Sequence, residues 1–189
     1  RSLITTMTLA LAVSFVAYTW AGYEILNGIW PRADESLRQS ILGAGYEPVD
    51  GAFGSGAKDR WLAFLSLLVC VVGIVNAQLM SVTERFREIG TFKCLGALNT
   101  FVVRIFVLEA MYQGFMGGFA GSVAGILVTS VSLMVKFGWR VMADYPVAAV
   151  ALTCAEATLL AVFLSLLGVI YPALVAARMQ PAVALRAEA

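Results

Sequence analysis

Two carboxylates, Glu109 and Glu156, stand inside long apolar stretches of this chain, and their setting makes them the first candidates for chemistry. A charge held in hydrocarbon is costly, so an intramembrane carboxylate is a functional candidate by default, as a proton carrier, a substrate contact or an acid catalyst. Glu109 lies near one end of its stretch, where pairing with Arg104 or access to water is the simpler outcome. Glu156 lies deeper, and Asn76 and Gln113 are the other buried polar groups expected to meet it, either in a structural hydrogen bond or at a proton or substrate site. An intramembrane enzyme would need more than these two acids. The chain has no His, which removes the commonest general base and the commonest metal ligand together. Cys70, Cys94 and Cys154 are too dispersed for a zinc knuckle or a disulfide framework and read as packing or juxtamembrane thiols. No metal site is expected. No glycine loop of the form GxxxxGK[ST] occurs, so nucleotide cannot be held in the Walker manner, and the regular charge ring of a passive channel is not visible.

The elements that must carry these residues follow from composition. Of 189 residues 60% are hydrophobic, and the mean hydropathy is +0.85, far above soluble domains at roughly 45 to 50% apolar. The solvent is lipid. A formal charge of +1 gives no basic field for a nucleic-acid partner. Residues 3–21 form an uncharged apolar run long enough for a span, so residues 1–22 read as the first transmembrane helix. Bulky Tyr18, Trp20 and Tyr23 at its end, with no small-residue cleavage pattern, argue against a removable signal peptide. Residues 23–60 are a short extracytoplasmic segment, loosely ordered around its glycines and Pro48, with a short helix over 34–42. Residues 61–80, 101–135 and 147–177 supply three more spans, the last closed by Pro172 and a polar tail. The fold class is therefore all-α, a membrane protein of four transmembrane helices. Arg1, Arg85, Arg87, Lys93, Arg104, Arg178 and Arg186, set against Glu84, Glu88 and Glu188, place both termini and the connection between spans two and three in the cytoplasm. All the tryptophans, Trp20, Trp30, Trp61 and Trp139, then fall at the outer ends of spans, as an interfacial aromatic belt.

Gly117, Gly121 and Gly125 recur every four residues in the third span, with Gly114 and Gly118 alongside, which leaves a stripe almost without side chains. Such stripes let helix backbones approach closely in lipid. The stripe serves either a sliding or dimer interface or static packing inside the subunit.

Between spans two and three runs SVTERFREIGTFKCLGA, residues 81–97. Ser81 with Glu84 has the form of a capping box, Gly96 can supply a left-handed C-terminal cap, and Asn99 or Thr100 can cap the third span. The spacing predicts a short cytoplasmic helix over 82–97 with Val82, Phe86 and Ile89 on one face and Arg85 paired with Glu88 beside it. Tied to two spans, it would act as a lever.

That segment, from Asn76 onward, resembles the signature of the FtsX/MacB/LolC-type permeases of ABC transporters, in which the second span runs into SVxERxREIGxxKxLGA. Leu108-Glu109-Ala110 with Gly117-Gly118 agree, as do residues 168–173 and the tail with Arg178, Pro181 and Arg186. The resemblance covers residues 61–189. It implies a permease whose coupling helix docks on an ABC ATPase dimer, the ATP and magnesium being bound by that partner and no cofactor by this chain. It further implies that Glu84, Arg85, Arg87, Glu88, Ile89, Gly90, Lys93, Leu95, Gly96 and Ala97 contact the ATPase, supported by Arg178, Pro181, Leu185 and Arg186. A second permease subunit, the same chain or another, is implied, in the cell's inner membrane and surrounded by lipid. Motion of the spans would serve export or extraction of a lipid, lipoprotein, peptide or small toxic molecule. The alternative is an FtsX-like regulator that passes ATPase motion to a cell-wall hydrolase and transports nothing. The family's large ectodomain between the first two spans has no counterpart in residues 24–60, which favours a separate extracytoplasmic adaptor or a chain from which the ectodomain is missing. The chain opens on Arg1 rather than Met, as part of a longer protein would.

Overall fold

The computed structural model describes residues 2–46, 48, 53–54, 56–84, 89–91, 94–96, 98–139, 141 and 145–178, the side chains of 2–4 and 178 excepted. The apolar runs form α1 (Ser2–Ile29), α3 (Ala57–Glu84), α4 (Asn99–Phe137) and α5 (Val147–Arg178), joined on one side by α2 (Glu35–Gly43). All of them but α2 are long and apolar enough to cross a membrane. The protein is a multi-pass helical membrane protein.

Three stacked apolar clusters fix the direction of each helix. At one end Ile25, Leu26 and Ile29 of α1 meet Ile41, Phe53, Leu133 and Val150. In the middle Leu9, Val13 and Ala17 meet Cys70, Ile74, Ala157 and Ala161. At the other end Val82 meets Val102, Phe106, Val169 and Ala173. Helices α1 and α4 therefore run one way and α3 and α5 the other. The first end, which carries the described residues of 30–56, is the loop end; the second, which carries those of 85–98, is the hairpin end.

The helices outrun the bilayer. At about 1.5 Å per residue the 39 residues of α4 reach about 58 Å, against a hydrocarbon layer of roughly 30 Å. Helix α1 also continues past the expected end of the first span to Ile29. Ile25, Leu26 and Ile29, each at most 3% exposed, explain the extension: they bury against Ile41 and Phe53 of the connecting segment. The loose loop expected at 24–60 is thus replaced, over its described residues, by a packed cap. Helix α2 begins where Asp34 O accepts from Leu37 N and Arg38 N, both at 2.9 Å. Trp30 stands edge-on to Phe53 at 5.1 Å, with the Arg38 guanidinium 5.3 Å from the indole centre. Asn27 anchors the segment, donating from Nδ2 to Phe53 O (2.9 Å) and accepting at Oδ1 from Phe53 N (2.6 Å).

Pro172 does not close the last span. It is fully buried and α5 continues through it to Arg178, since neighbouring helices and local adjustment make good a freed backbone group inside a membrane bundle. The start of α4 differs as well. Its N-cap is Leu98, extended at ψ 150 with no side-chain cap bond, because the chain straightens there and draws Asn99 and Thr100 into the first helical turn.

Gly96 does adopt the left-handed region, at φ +89. A Cβ there would meet nothing within 4 Å, so the cost of Gly96→Ala is that of the backbone alone, about 1 kcal/mol. Thermal unfolding in detergent is expected to shift down by about 3 °C for a chain of this size, and an unchanged midpoint would show that the turn relaxes freely.

Candidate functional site

The hairpin after α3 is the first place to look. Residues 85–88, 92, 93 and 97 lie outside the described residues, and with them Arg85, Arg87, Glu88, Lys93 and Ala97; so do Pro181, Leu185 and Arg186 of the tail. Around them, Ile89, Gly90 and Thr91 are helical, and Leu95 N donates to Thr91 O at 3.1 Å, the spacing of a helical turn. Ile89 is 6% exposed and joins Val82, Val102, Phe106, Ala110, Val169, Ala173 and Ala176. The apolar face read from Val82 and Ile89 therefore points into the chain's own bundle, and Gly90 is buried beside it. One side chain keys the hairpin to α3, α4 and α5 together. Among the described residues here, Glu84, Thr91, Cys94, Leu95, Gly96 and Leu98 face outward, the two leucines 85% and 74% exposed. Large apolar groups so exposed at the end of a bundle suit a partner surface.

Above the hairpin a chain of amides crosses the bundle. Gln78 Nε2 of α3 donates to Gln113 Oε1 of α4 at 3.0 Å, and Gln113 Nε2 donates to Glu109 Oε1 at 3.4 Å. Gln78 is 2% exposed and Gln113 8%. The sequence reading missed Gln78, although a Gln among apolar neighbours is the same signal that drew attention to Asn76. Asn76 itself is exposed on the outer face of α3, which corrects its expected burial. Two residues along a helix turn a side chain through roughly 200°, so only one of the two amides can face inward. In hydrocarbon such a bond contributes about 1 kcal/mol. A double-mutant cycle of Gln78→Leu and Gln113→Leu, followed by unfolding in detergent, is expected to return a coupling of about 1 kcal/mol; additive single effects would show that the two amides do not hold the helices together.

Glu156 meets neither Gln113 nor Asn76. It lies exposed on α5, where with Glu24, Asn27, Trp20, Tyr23 and Thr153 it borders an open cavity of about 280 Å³ beneath the loop end. A larger cavity, about 460 Å³, opens between α1, α3, α4 and residues 44–46.

The glycine stripe divides between two neighbours. A Cβ on Gly117 would stand 3.0 Å from Thr6 O, and Cβ atoms on Gly121 and Gly125 would stand 2.9 Å from Ala10 Cα and Ala17 Cβ, all in α1. Gly114 and Gly118 face Val162 and Ala161 of α5 instead. Thr129 prolongs the first row with its hydroxyl donating to Tyr18 O at 3.0 Å. Residue by residue the parallel α1 and α4 keep one register, Thr6 with Gly117, Ala10 with Gly121 and Tyr18 with Thr129. Ser122 prolongs the second row, its hydroxyl 3.3 Å from Thr158 Oγ1 and 3.2 Å from Cys154 Sγ. The stripe is occupied inside this chain by the two helices α1 and α5.

The arrangement defines a class. Helices α1, α4 and α5 lock through glycine rows, while α3 leans on them with 17% of its most apolar window buried, against 44%, 33% and 44% for the other three spans; the least held span leads into the exposed hairpin. This is the layout of a multi-pass helical membrane subunit of the permease class. The chain belongs to the FtsX-like permease family: the profile of the FtsX-like permease C-terminal region matches residues 61–181. It is similar to the uncharacterized ABC transporter permease MJ1507 of Methanocaldococcus jannaschii, 45% identical over 80 residues, 41% of this chain and 20% of that protein. It is also similar to the macrolide export ATP-binding/permease protein MacB of Rhodopirellula baltica, 40% identical over 139 residues, 71% of this chain and 19% of that protein. The pyoverdine export ATP-binding/permease protein PvdT of Pseudomonas savastanoi pv. phaseolicola is 37% identical over 130 residues, 67% of this chain and 18% of that protein. The chain thus spans about a fifth of the length of these relatives.

Proposed function

We propose that the chain is the force-receiving membrane part of an ABC transporter, moving its spans when a separate ATPase dimer closes on the hairpin. The observation that carries this reading is the anchoring of Ile89 among residues of α3, α4 and α5. A push on the exposed hairpin is delivered to three helix ends at once rather than absorbed by a loop. Arg85, Arg87, Glu88 and Lys93 supply the charged contacts to the ATPase, Leu95 and Leu98 the apolar ones, and Arg178 with the tail supports them. Ile89 acts by fixing the hairpin rather than by touching the partner. ATP and magnesium belong to that partner.

The hairpin end and both termini then face the cytoplasm, and the loop end faces outward from the inner membrane, in agreement with the distribution of Lys and Arg. A second permease subunit completes the pair, and α3, with Trp61, Phe64, Leu65 and Leu68 exposed along it, is the span with most surface left for lipid or that subunit. The relatives' export of macrolide and pyoverdine supports an amphipathic export substrate, a lipid, a lipoprotein, a peptide or a small toxic molecule, handled with an extracytoplasmic adaptor.

The test is a photo-crosslinking residue at position 88 in membranes that hold the native partners. The captured protein is expected to carry a GxxxxGK[ST] loop and to hydrolyse ATP, with capture efficiency changing between ATP-bound and nucleotide-free states. Labelling of position 88 by an impermeant reagent from outside the cell would end the reading.

A further inference from the structure

We propose that the 460 Å³ cavity between α1, α3 and α4 holds the anionic, hydroxyl-bearing headgroup of a membrane lipid in the leaflet at the loop end, with Lys58 as its counter-ion. The proposal deepens the permease reading by naming a chemical class for its ligand.

Charge selects the headgroup's sign. Among the described residues, two charged side chains line the cavity, Lys58 and Asp59, and Asp59 accepts a hydrogen bond at Oδ2 from the Tyr23 hydroxyl. Lys58 makes no hydrogen bond or ion pair among the described residues. Asp59 keeps its negative charge but is directed to Tyr23, and the Lys58 ammonium is the charged lining group among the described residues that is free to pair with an anion. A second cation lies close by: Lys136 Nζ of α4 is 5.7 Å from the ring centre of Tyr46, itself a lining residue.

Height in the membrane argues for lipid. Lys58 precedes Trp61 by one helical turn, and Trp61 is 65% exposed at the start of the apolar part of α3. Tryptophan so placed marks the headgroup level, which puts the Lys58 ammonium where a lipid phosphate sits. Leu62, four residues on and so on the same face, is 44% exposed, leaving an apolar path for an acyl chain below the head. The cavity opens beside the weakly held α3.

The wall chemistry narrows the head further. The Thr19 hydroxyl is given to Val16 O, but Tyr18, Tyr46 and Ser132 also line the cavity with hydroxyl-bearing side chains. They can donate to and accept from a glycerol or sugar head, and a choline head offers them no hydrogen to accept. Gly22 leaves the floor open, since a Cβ there would touch only Thr129 Cγ2 at 3.7 Å.

The experiment is native mass spectrometry of the full chain released from detergent containing equal phosphatidylglycerol and phosphatidylcholine. One phosphatidylglycerol is expected to be retained about fivefold more often than phosphatidylcholine, the ratio one interfacial lysine supports. Lys58→Gln is expected to bring the ratio near one and Lys58→Arg to keep it. Lys58 is exposed, so Lys58→Gln should leave size-exclusion behaviour and helical content unchanged. Equal retention of the two lipids by the native chain, or an unchanged preference in Lys58→Gln, would overturn the proposal. So would displacement of the lipid by millimolar glycerol 1-phosphate, which would assign the cavity to a free phosphate. No ATPase takes part, so a negative result here leaves the crosslinking result at position 88 standing, and the reverse.

Discussion

Gly121→Ala is expected to lower the unfolding midpoint of the detergent-solubilised chain by roughly 10 °C, although a single methyl group is added. The added Cβ would stand 2.9 Å from Ala10 Cα and closer still to the Ala10 carbonyl oxygen. Backbone atoms cannot rotate away as a side-chain end can, so α1 and α4 must separate along the whole row. Overpacking of this kind costs about 3 kcal/mol, which for a chain of this length corresponds to the stated shift. The neighbouring glycines make the prediction graded. Gly117→Ala, with its nearest obstacle at 3.0 Å, should cost less, and Gly22→Ala, at 3.7 Å, close to nothing. Gly73 meets nothing within 4 Å, so Gly73→Ala should raise stability by up to about 1 kcal/mol through helix propensity. Equal effects at 121 and 73 would show that the rows do not carry the contact between α1 and α4.

Ile89→Asp is expected to reduce ATP-driven transport by at least about tenfold while the bundle stays folded. Ile89 is buried among Val82, Phe106, Val169 and their neighbours, and a carboxylate there either forces a costly burial or pulls the hairpin off the helix ends. Releasing the hairpin is the cheaper response when burial costs about 3 kcal/mol or more, and a difference of that size shifts the attached and detached populations by more than a hundredfold. On the proposed function, a detached hairpin would still bind an ATPase but would no longer move α4 and α5. Partner binding should therefore survive, read from the crosslink at position 88, while coupling is lost. Ile89→Leu should retain both. Transport at the native rate in Ile89→Asp would show that force enters the bundle elsewhere, through α3 or the tail.

Much of this protein was legible along the chain because the physics involved is local. An uncharged apolar run must become a helix in lipid, since each backbone N–H and C=O has to find its partner within the segment. Positions of the four spans, the short helix α2, the turn at Gly96 and the family signature at 81–97 follow from composition, periodicity and motif. The side toward which a residue faces does not. Asn76 and Gln78 are equally polar and nearly adjacent, yet only Gln78 is buried, because the rotation of α3 is set by what α1 and α5 present to it. Glu156 was expected to meet Gln113, and Gln113 is instead taken by Gln78 and Glu109, a choice that depends on which helices lie side by side.

By itself, then, the sequence determined what crosses the membrane and which segment bears the family's signature. The tertiary structure alone decided that the glycine stripe serves two neighbours within the chain, that α1 extends to build a cap with residues 41 and 53, and that Ile89 turns inward. The reason is common to all three. Helix formation is satisfied by hydrogen bonds a few residues apart, whereas packing depends on shape shared between segments more than a hundred residues apart, as Ala10 and Gly121 are, and no local pattern records which surface will meet which.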